Sequence, residues 1–284
     1  MKKALLILAL AAAAGAVHAE DTLAKIKASG TVTMGVRDSS GALSYSVGEG
    51  KYEGFHVDVC RHVLADIKKQ LGLAKLDIVY QSVTSQNRQP LIKNGTVDIE
   101  CGSTTNNTAR AQEVAFAHTT YVTNVRMAVR ANSGITSIAQ LNGRNVATTT
   151  GTTSVQTLRK NERMKGLDFH EVYGKDHADS FLLLEQGRAD AFVMDDYILA
   201  GNIAHAKNPA DFKIVGEALS VEPIAIMIRK DDPAFKKAVD DSVDALMKSG
   251  EIGKMLAKYG LTPGAETKAA WASPNDKPME SYQH

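Results

Sequence analysis

The run Cys101-Gly102-Ser103-Thr104-Thr105-Asn106-Asn107-Thr108-Ala109-Arg110 puts hydroxyls and one arginine where a strand is expected to give way to a helix. Val97-Asp98-Ile99-Glu100 reads as the strand, and Thr105 is the expected N-cap of the helix that carries Arg110. Backbone N–H groups at a helix start, hydroxyls and a guanidinium together suit the holding of a carboxylate. No base or nucleophile stands beside them, so capture rather than catalysis is expected and no catalytic residue is assigned.

The elements that must position this run follow from periodicity. Thr31-Val32-Thr33-Met34-Gly35-Val36 alternates as a strand, Val57 to Leu71 has helical spacing, and Leu76 to Tyr80 is a second strand. Gln86 to Lys93 reads as a helix closed by Asn94-Gly95, and Val97 to Cys101 as a third strand. The order βαβαβ predicts a parallel sheet covered by helices. After an apolar, β-branched run from Tyr121 to Val129 the pattern restarts: strand Asn145 to Thr149, then Gly151-Thr152-Thr153-Ser154 opening a helix. Helices over Ser180 to Gln186 and Tyr197 to Ala206 flank a strand at Ala191 to Met194. A strand at Ile224 to Ile228 precedes helices over Phe235 to Lys248 and Glu251 to Tyr259. The tail from Thr262 to His284, with Pro263, Pro274 and Pro278, is polar and reads as irregular. Ligands of such sheets sit at the carboxyl ends of strands, here Arg37, Ser103, Thr149 to Thr153 and Asp195.

Composition narrows the class. Met1-Lys2-Lys3, an apolar stretch from Ala4 to Val17 and then Val17-His18-Ala19 form a secretory signal with cleavage expected after Ala19. The apolar run is shorter than the ~20 residues that span a bilayer, so release into a periplasm is expected. Removing Lys2 and Lys3 takes the formal charge from +1 to −1, which gives no reason to seek nucleic acid. Neither GxGxxG nor GxxxxGK[ST] occurs, the histidines are scattered without metal-ligand spacing, and no cofactor or metal is implied. Cys60 and Cys101 are too few for a disulfide scaffold, and two buried thiols is the plainer reading, although an oxidising compartment permits a bond.

The chain resembles the periplasmic solute-binding proteins of polar amino acid ABC transporters, solute-binding family 3, over nearly all of the mature length. The resemblance is carried by Gly54-Phe55-His56-Val57-Asp58, the Leu91, Gly95, Asp98 spacing, Thr105 with Arg110, Ala115-Phe116-Ala117 to Tyr121, Gly151-Thr152-Thr153-Ser154, Gly187-Arg188-Ala189-Asp190-Ala191 and Asp195. A narrower similarity is to the glutamate/aspartate-binding members. It rests on Arg37-Asp38-Ser39-Ser40, Thr84-Ser85-Gln86-Asn87-Arg88, Glu100 through Asn107, Lys175-Asp176-His177 and Met194-Asp195-Asp196. The pattern departs at Gly41-Ala42-Leu43-Ser44-Tyr45, where related binders commonly have a proline and an aromatic.

The resemblance implies a type II periplasmic binding protein fold: two α/β lobes, each a central sheet flanked by helices, joined by two hinge crossings near Thr123 and Val221. The implied division is signal peptide 1–19, first lobe 20–123 and 222–262, second lobe 124–221 and a polar tail 263–284. It also implies Arg110, Thr105 and the amides of Gly151 to Thr153 on the α-carboxylate of an amino acid, with Thr152 and Thr153 in the site, and Ser103 with Asp195 on the α-ammonium. Arg37, Ser85, Arg88 and His177 are then assigned to the ligand's side chain, with Thr104, Asn106 and Asn107 as supporting polar residues.

Three arginines and one aspartate sum to +2 against a glutamate or aspartate of net charge −1, a slight over-compensation. A glutamine in the same site leaves a desolvated arginine facing a neutral amide, which costs a few kcal/mol, or roughly 100-fold in affinity. If His177 assists as a cation, affinity should fall as pH rises past ~6.5. The implied partners are L-glutamate or L-aspartate and membrane permease subunits with a separate ATPase, and a monomer is the expected state. Competing readings are a binder of glutamine or asparagine and a dehydratase-like enzyme on the same fold using His177, Glu185 or Asp196; a sensor or adhesin-like surface protein, with the tail as interaction arm, is a third.

Overall fold

A computed structural model describes residues 21–282, so the expected signal segment and its cleavage point lie outside the described residues. The described residues build two five-stranded sheets and one small three-stranded sheet. In the first large sheet Thr31–Val36 pairs in parallel with Asp77–Ser82 and with Ile99–Glu100. In the second, Asn145–Thr149 pairs in parallel with His170–Gly174 and with Ala191–Asp195. The parallel expectation holds for these three strands of each sheet and not for the other two. Met227–Ile228 and Ala115–Phe116 complete the first sheet, and Tyr121–Arg130 and Phe212–Ile224 the second, each through antiparallel pairing.

Helices cover the sheets because their apolar residues recur on one face. Helix Phe55–Gln70 buries Phe55, Val59, Cys60, Val63, Leu64 and Ile67. It lies against helix Pro233–Ser249, which buries Phe235, Val239, Val243 and Leu246. That second helix starts where Asp232 accepts from the Phe235 N–H at 3.0 Å with proline in the first turn, and ends at a left-handed Gly250.

Cys60 and Cys101 form a disulfide, which corrects the reading of two buried thiols. Their Cα atoms stand 6.3 Å apart, within bonding range, because helix Phe55–Gln70 packs across the strand end at Glu100. The bond closes a sequence separation of 41 residues, worth roughly 4 kcal/mol in the chain-entropy model. It fixes the strand end that leads directly into Gly102-Ser103.

The strands Tyr121–Arg130 and Phe212–Ile224 connect the two halves side by side. Their register places Thr123 opposite Glu222 and Asn124 opposite Val221, so the two expected crossings are neighbours in one ribbon. The tail is not irregular. Helix Ala265–Ala272 buries Thr267, whose hydroxyl accepts from the Val122 N–H at 3.0 Å, and Trp271 Nε1 donates to the Thr120 carbonyl at 2.8 Å. Beyond it, the Met279 N–H donates to the Asn106 carbonyl at 2.8 Å. Prolines mark the ends of this segment, but its small and apolar residues find a packing face that local polarity does not reveal.

The run flagged as departing from the family pattern also has a place. The turn Gly41–Leu43 lies on helix Asp196–Ala204, so that a Cβ on Gly201 would fall 2.7 Å from Gly41 Cα and one on Gly41 2.5 Å from the Tyr197 carbonyl. Glycine at both positions lets the two halves approach backbone to backbone.

Candidate functional site

The carboxyl ends of the parallel strands from both sheets face one crevice. Arg37 follows Val36, Cys101 to Ser103 follow Glu100, Thr150 to Thr153 follow Thr149, and Asp195 ends its own strand. Between them lies a narrow cavity of only about 10 Å³, room for about one water, so the crevice is nearly closed. Ser85, Arg88, Ser103, Thr105, Thr152, Thr153, His177 and Asp195 line it, joined by Ser154, Met194 and Ile198. Two residues of the expected set do not. Arg37 stands behind Ser103 and His177, and Arg110 faces the adjoining groove with Gly151 and Thr152.

The helix that carries Arg110 is a single turn, Thr108–Ala111, and its N-cap is Asn107 rather than Thr105. The Asn107 side chain accepts from the Arg110 N–H at 2.8 Å, whereas Thr105 is still extended and bridges Ile224. Arg110 then reaches across the crevice: one terminal nitrogen donates to the Thr105 carbonyl at 2.8 Å and the other to the Gly151 carbonyl at 3.2 Å.

Architecture and crevice are those of a two-lobed binding protein, and the comparisons agree. A model of the bacterial extracellular solute-binding proteins, family 3, matches residues 32–262. The chain belongs to this family. It is 39% identical over 297 residues to the glutamate/aspartate import solute-binding protein of Escherichia coli (strain K12), covering 98% of each. It is 42% identical over 272 residues to the L-glutamate/L-aspartate-binding protein of Pseudomonas aeruginosa, covering 91% of this chain and 90% of that one. Among solved structures it is similar to an ancestral arginine-binding protein bound to arginine (24% identity, TM-score 0.70, 81% of this chain and 98% of that one). It is also similar to an ABC uptake transporter substrate-binding protein of Streptococcus pneumoniae with bound histidine (17% identity, TM-score 0.75, 87% and 99%). These two likenesses carry the fold alone.

In this family 3 protein the two arginines at the basic end of the crevice differ. Arg37 is fully buried and engaged: it donates to Ser103 Oγ at 3.3 Å, lies 3.2 Å from His177 Nε2, and forms an ion pair with Asp176. Burial pushes the Asp176 carboxyl up, but the Arg37 guanidinium and the Ser39 hydroxyl outweigh it and hold it at about 2. Arg88, 2% exposed at the start of helix Arg88–Lys93, has no such partner. Among the described residues its Nε and one terminal nitrogen, and the neighbouring Ser85 hydroxyl, lack a hydrogen-bond partner. Burial and the charge of Arg110 lower the Arg88 guanidinium to about 9, against the pull of Glu100.

The surroundings of His177 favour the neutral imidazole, against the conditional cationic role. Burial first, then Arg37, lower its imidazole to about 3. Because Arg37 can only donate, Nε2 accepts from it, and the ring hydrogen sits on Nδ1, 2.9 Å from Thr149 Oγ1.

The opposite end is acidic. Asp195 holds the N-cap position of helix Asp196–Ala204, yet among the described residues its side chain makes no capping bond; it accepts from the Tyr197 hydroxyl at 3.3 Å. Burial, Glu222 and Asp196 all raise it well above the usual carboxylate range. Sequence reasoning missed Asp176 and Glu222. Asp176 lay inside a quoted run but was read only as a neighbour of His177. Glu222 sits on strand Phe212–Ile224, which overlaps the expected strand Ile224 to Ile228 only at Ile224, so it fell outside every element the sequence suggested.

Proposed function

We propose that this chain is the periplasmic receptor of an ABC transporter, capturing L-glutamate or L-aspartate between its lobes and presenting the closed form to a membrane permease driven by a separate ATPase. The observation that carries this reading is Arg88, a buried guanidinium with two nitrogens unpartnered among the described residues, beside a free Ser85 hydroxyl. A buried, uncompensated cation costs several kcal/mol, and a ligand side-chain carboxylate removes that cost where an amide does not. Arg37 and His177 support that carboxylate from behind. Arg110 and the amides at the start of helix Thr153–Lys165 suit the α-carboxylate, while Asp195 and Ser103 suit the α-ammonium. The curated relatives named for glutamate and aspartate, similar over nearly the whole chain, support the same ligand class.

The proposed lobes are 20–123 with 222–262 and 124–221, with a tail 263–284 whose described part, to residue 282, is strapped over the crossing. Ligand held by Arg110 on one side and Asp195 on the other stabilises closure about the ribbon at Thr123 and Glu222, and closure is what the permease reads. The test is isothermal titration of mature protein, unfolded and refolded to remove carried ligand, with L-glutamate, L-aspartate and L-glutamine in turn. Tight binding of the two acids alone is expected. Binding of glutamine as tightly as glutamate, or turnover of a bound acid, overturns the reading.

A further inference from the structure

Glu222 stands where the two lobes meet and belongs to none of the roles above. It is fully buried on the crossing strand Phe212–Ile224, opposite Thr123. One carboxylate oxygen accepts from Ser220 Oγ at 2.6 Å and the other from Thr153 Oγ1 at 2.9 Å. The Thr105 and Thr153 hydroxyls are 3.5 Å apart, and burial raises the Glu222 carboxyl while the Ser220, Thr105 and Thr153 hydroxyls lower it. Thr105 comes from the first lobe and Thr153 from the second, and both line the cavity.

Resting on the amino acid reading, we propose that Glu222 is a positioning residue that turns the Thr105 and Thr153 hydroxyls into acceptors, making this wall of the cavity selective for the ligand's ammonium group. A carboxylate only accepts, and a hydroxyl has one hydrogen and two lone pairs. Each hydroxyl that gives its hydrogen to Glu222 therefore shows the cavity lone pairs alone. Two such oxygens beside Asp195 attract an N–H donor and repel a second carboxylate. Thr105, assigned from the sequence to the α-carboxylate, then serves the ammonium, and the α-carboxylate is left to Arg110 and the backbone amides.

The test compares L-glutamate with glutarate, which lacks only the amino group, by titration at pH 8 of the unaltered protein and of Glu222→Gln. Glutamine keeps the shape but replaces one acceptor with a donor, and with its amide nitrogen on Thr153 it turns that hydroxyl's hydrogen into the cavity. L-glutamate is expected to weaken roughly 10- to 100-fold, the range for a hydrogen bond to a charged group, while glutarate changes less than about 3-fold. Thr153→Val, which removes one acceptor from the cavity and one donor from Glu222 while keeping the carboxylate, is expected to show the same split and covers a Glu222→Gln protein that does not fold. Equal losses for both ligands, or none for either, overturn the proposal alone. Failure of the unaltered protein to bind L-glutamate overturns the functional reading and this proposal with it.

Discussion

Arg37 and Arg88 approach the same crevice from the same lobe, are both buried, and are not equivalent. Arg37 is ion-paired with Asp176 and leaves one nitrogen, Nε, unpartnered among the described residues, whereas Arg88 leaves two, Nε and one terminal nitrogen. Counting arginines made the site over-compensated by one charge; that count left out the carboxyls of Asp176, Glu100 and Glu222. The difference teaches that preference for an acidic side chain is concentrated at Arg88. Arg37 and Ser39 both bind Asp176, which lies across the proposed lobe boundary.

The comparison can be broken at several strengths. The largest effect is expected outside it, at Arg110, which holds both Thr105 and Gly151. Arg110→Ala should abolish binding of acidic and neutral amino acids alike, a loss of roughly 3–5 kcal/mol, and titration that shows one ligand spared contradicts its general role. Next is Arg88→Ala, expected to weaken L-glutamate roughly 100-fold while L-glutamine changes little. Equal losses would erase the distinction between the arginines. Arg37→Ala should hurt less selectively, because it strands Asp176, and adding Asp176→Asn should recover part of the loss. A double-mutant cycle is expected to give a coupling of roughly 1–3 kcal/mol, and no coupling means that the pair does not act as a unit.

The smallest expected effect is on pH. With His177 neutral, L-glutamate affinity should stay flat from pH 6.5 to 8.5, and a decline over that range restores the cationic histidine. Stability behaves differently. Burial lowers His56 to about 4 and His177 to about 3, while an unfolded histidine takes its proton near 6.5. The unfolded chain thus binds more protons below 6.5, and stability should be full above that pH and drop as pH falls toward 4, measured by thermal unfolding.

Much of this was legible in the sequence where local pattern and tertiary role coincide. Strands Thr31–Val36 and Asn145–Thr149 carry unbroken alternation or β-branched runs and match residue for residue. Of the eight expected residues that line the cavity, Ser103, Thr152, Thr153 and Asp195 were reachable from expected strand ends and Thr105 from its hydroxyl-rich run, whereas Ser85, Arg88 and His177 came only from the resemblance. What stayed hidden depends on contacts far along the chain. The Asp176 partner of Arg37 is 139 residues away, the Cys60–Cys101 pairing needs a helix to lie across a strand end, and Trp271 finds the Thr120 carbonyl from within a segment whose prolines suggested no structure. The N-cap at Asn107 instead of Thr105 is a competition between two good capping residues, decided when Thr105 is held extended against Ile224.

The central claim is tested most directly by a crystal structure of the mature protein with L-glutamate. The account predicts the ligand's side-chain carboxylate within hydrogen-bond distance of Arg88 and Ser85 while Arg37 keeps its bond to Asp176. A carboxylate that displaces Asp176 from Arg37 and leaves the Arg88 nitrogens without a partner would contradict it.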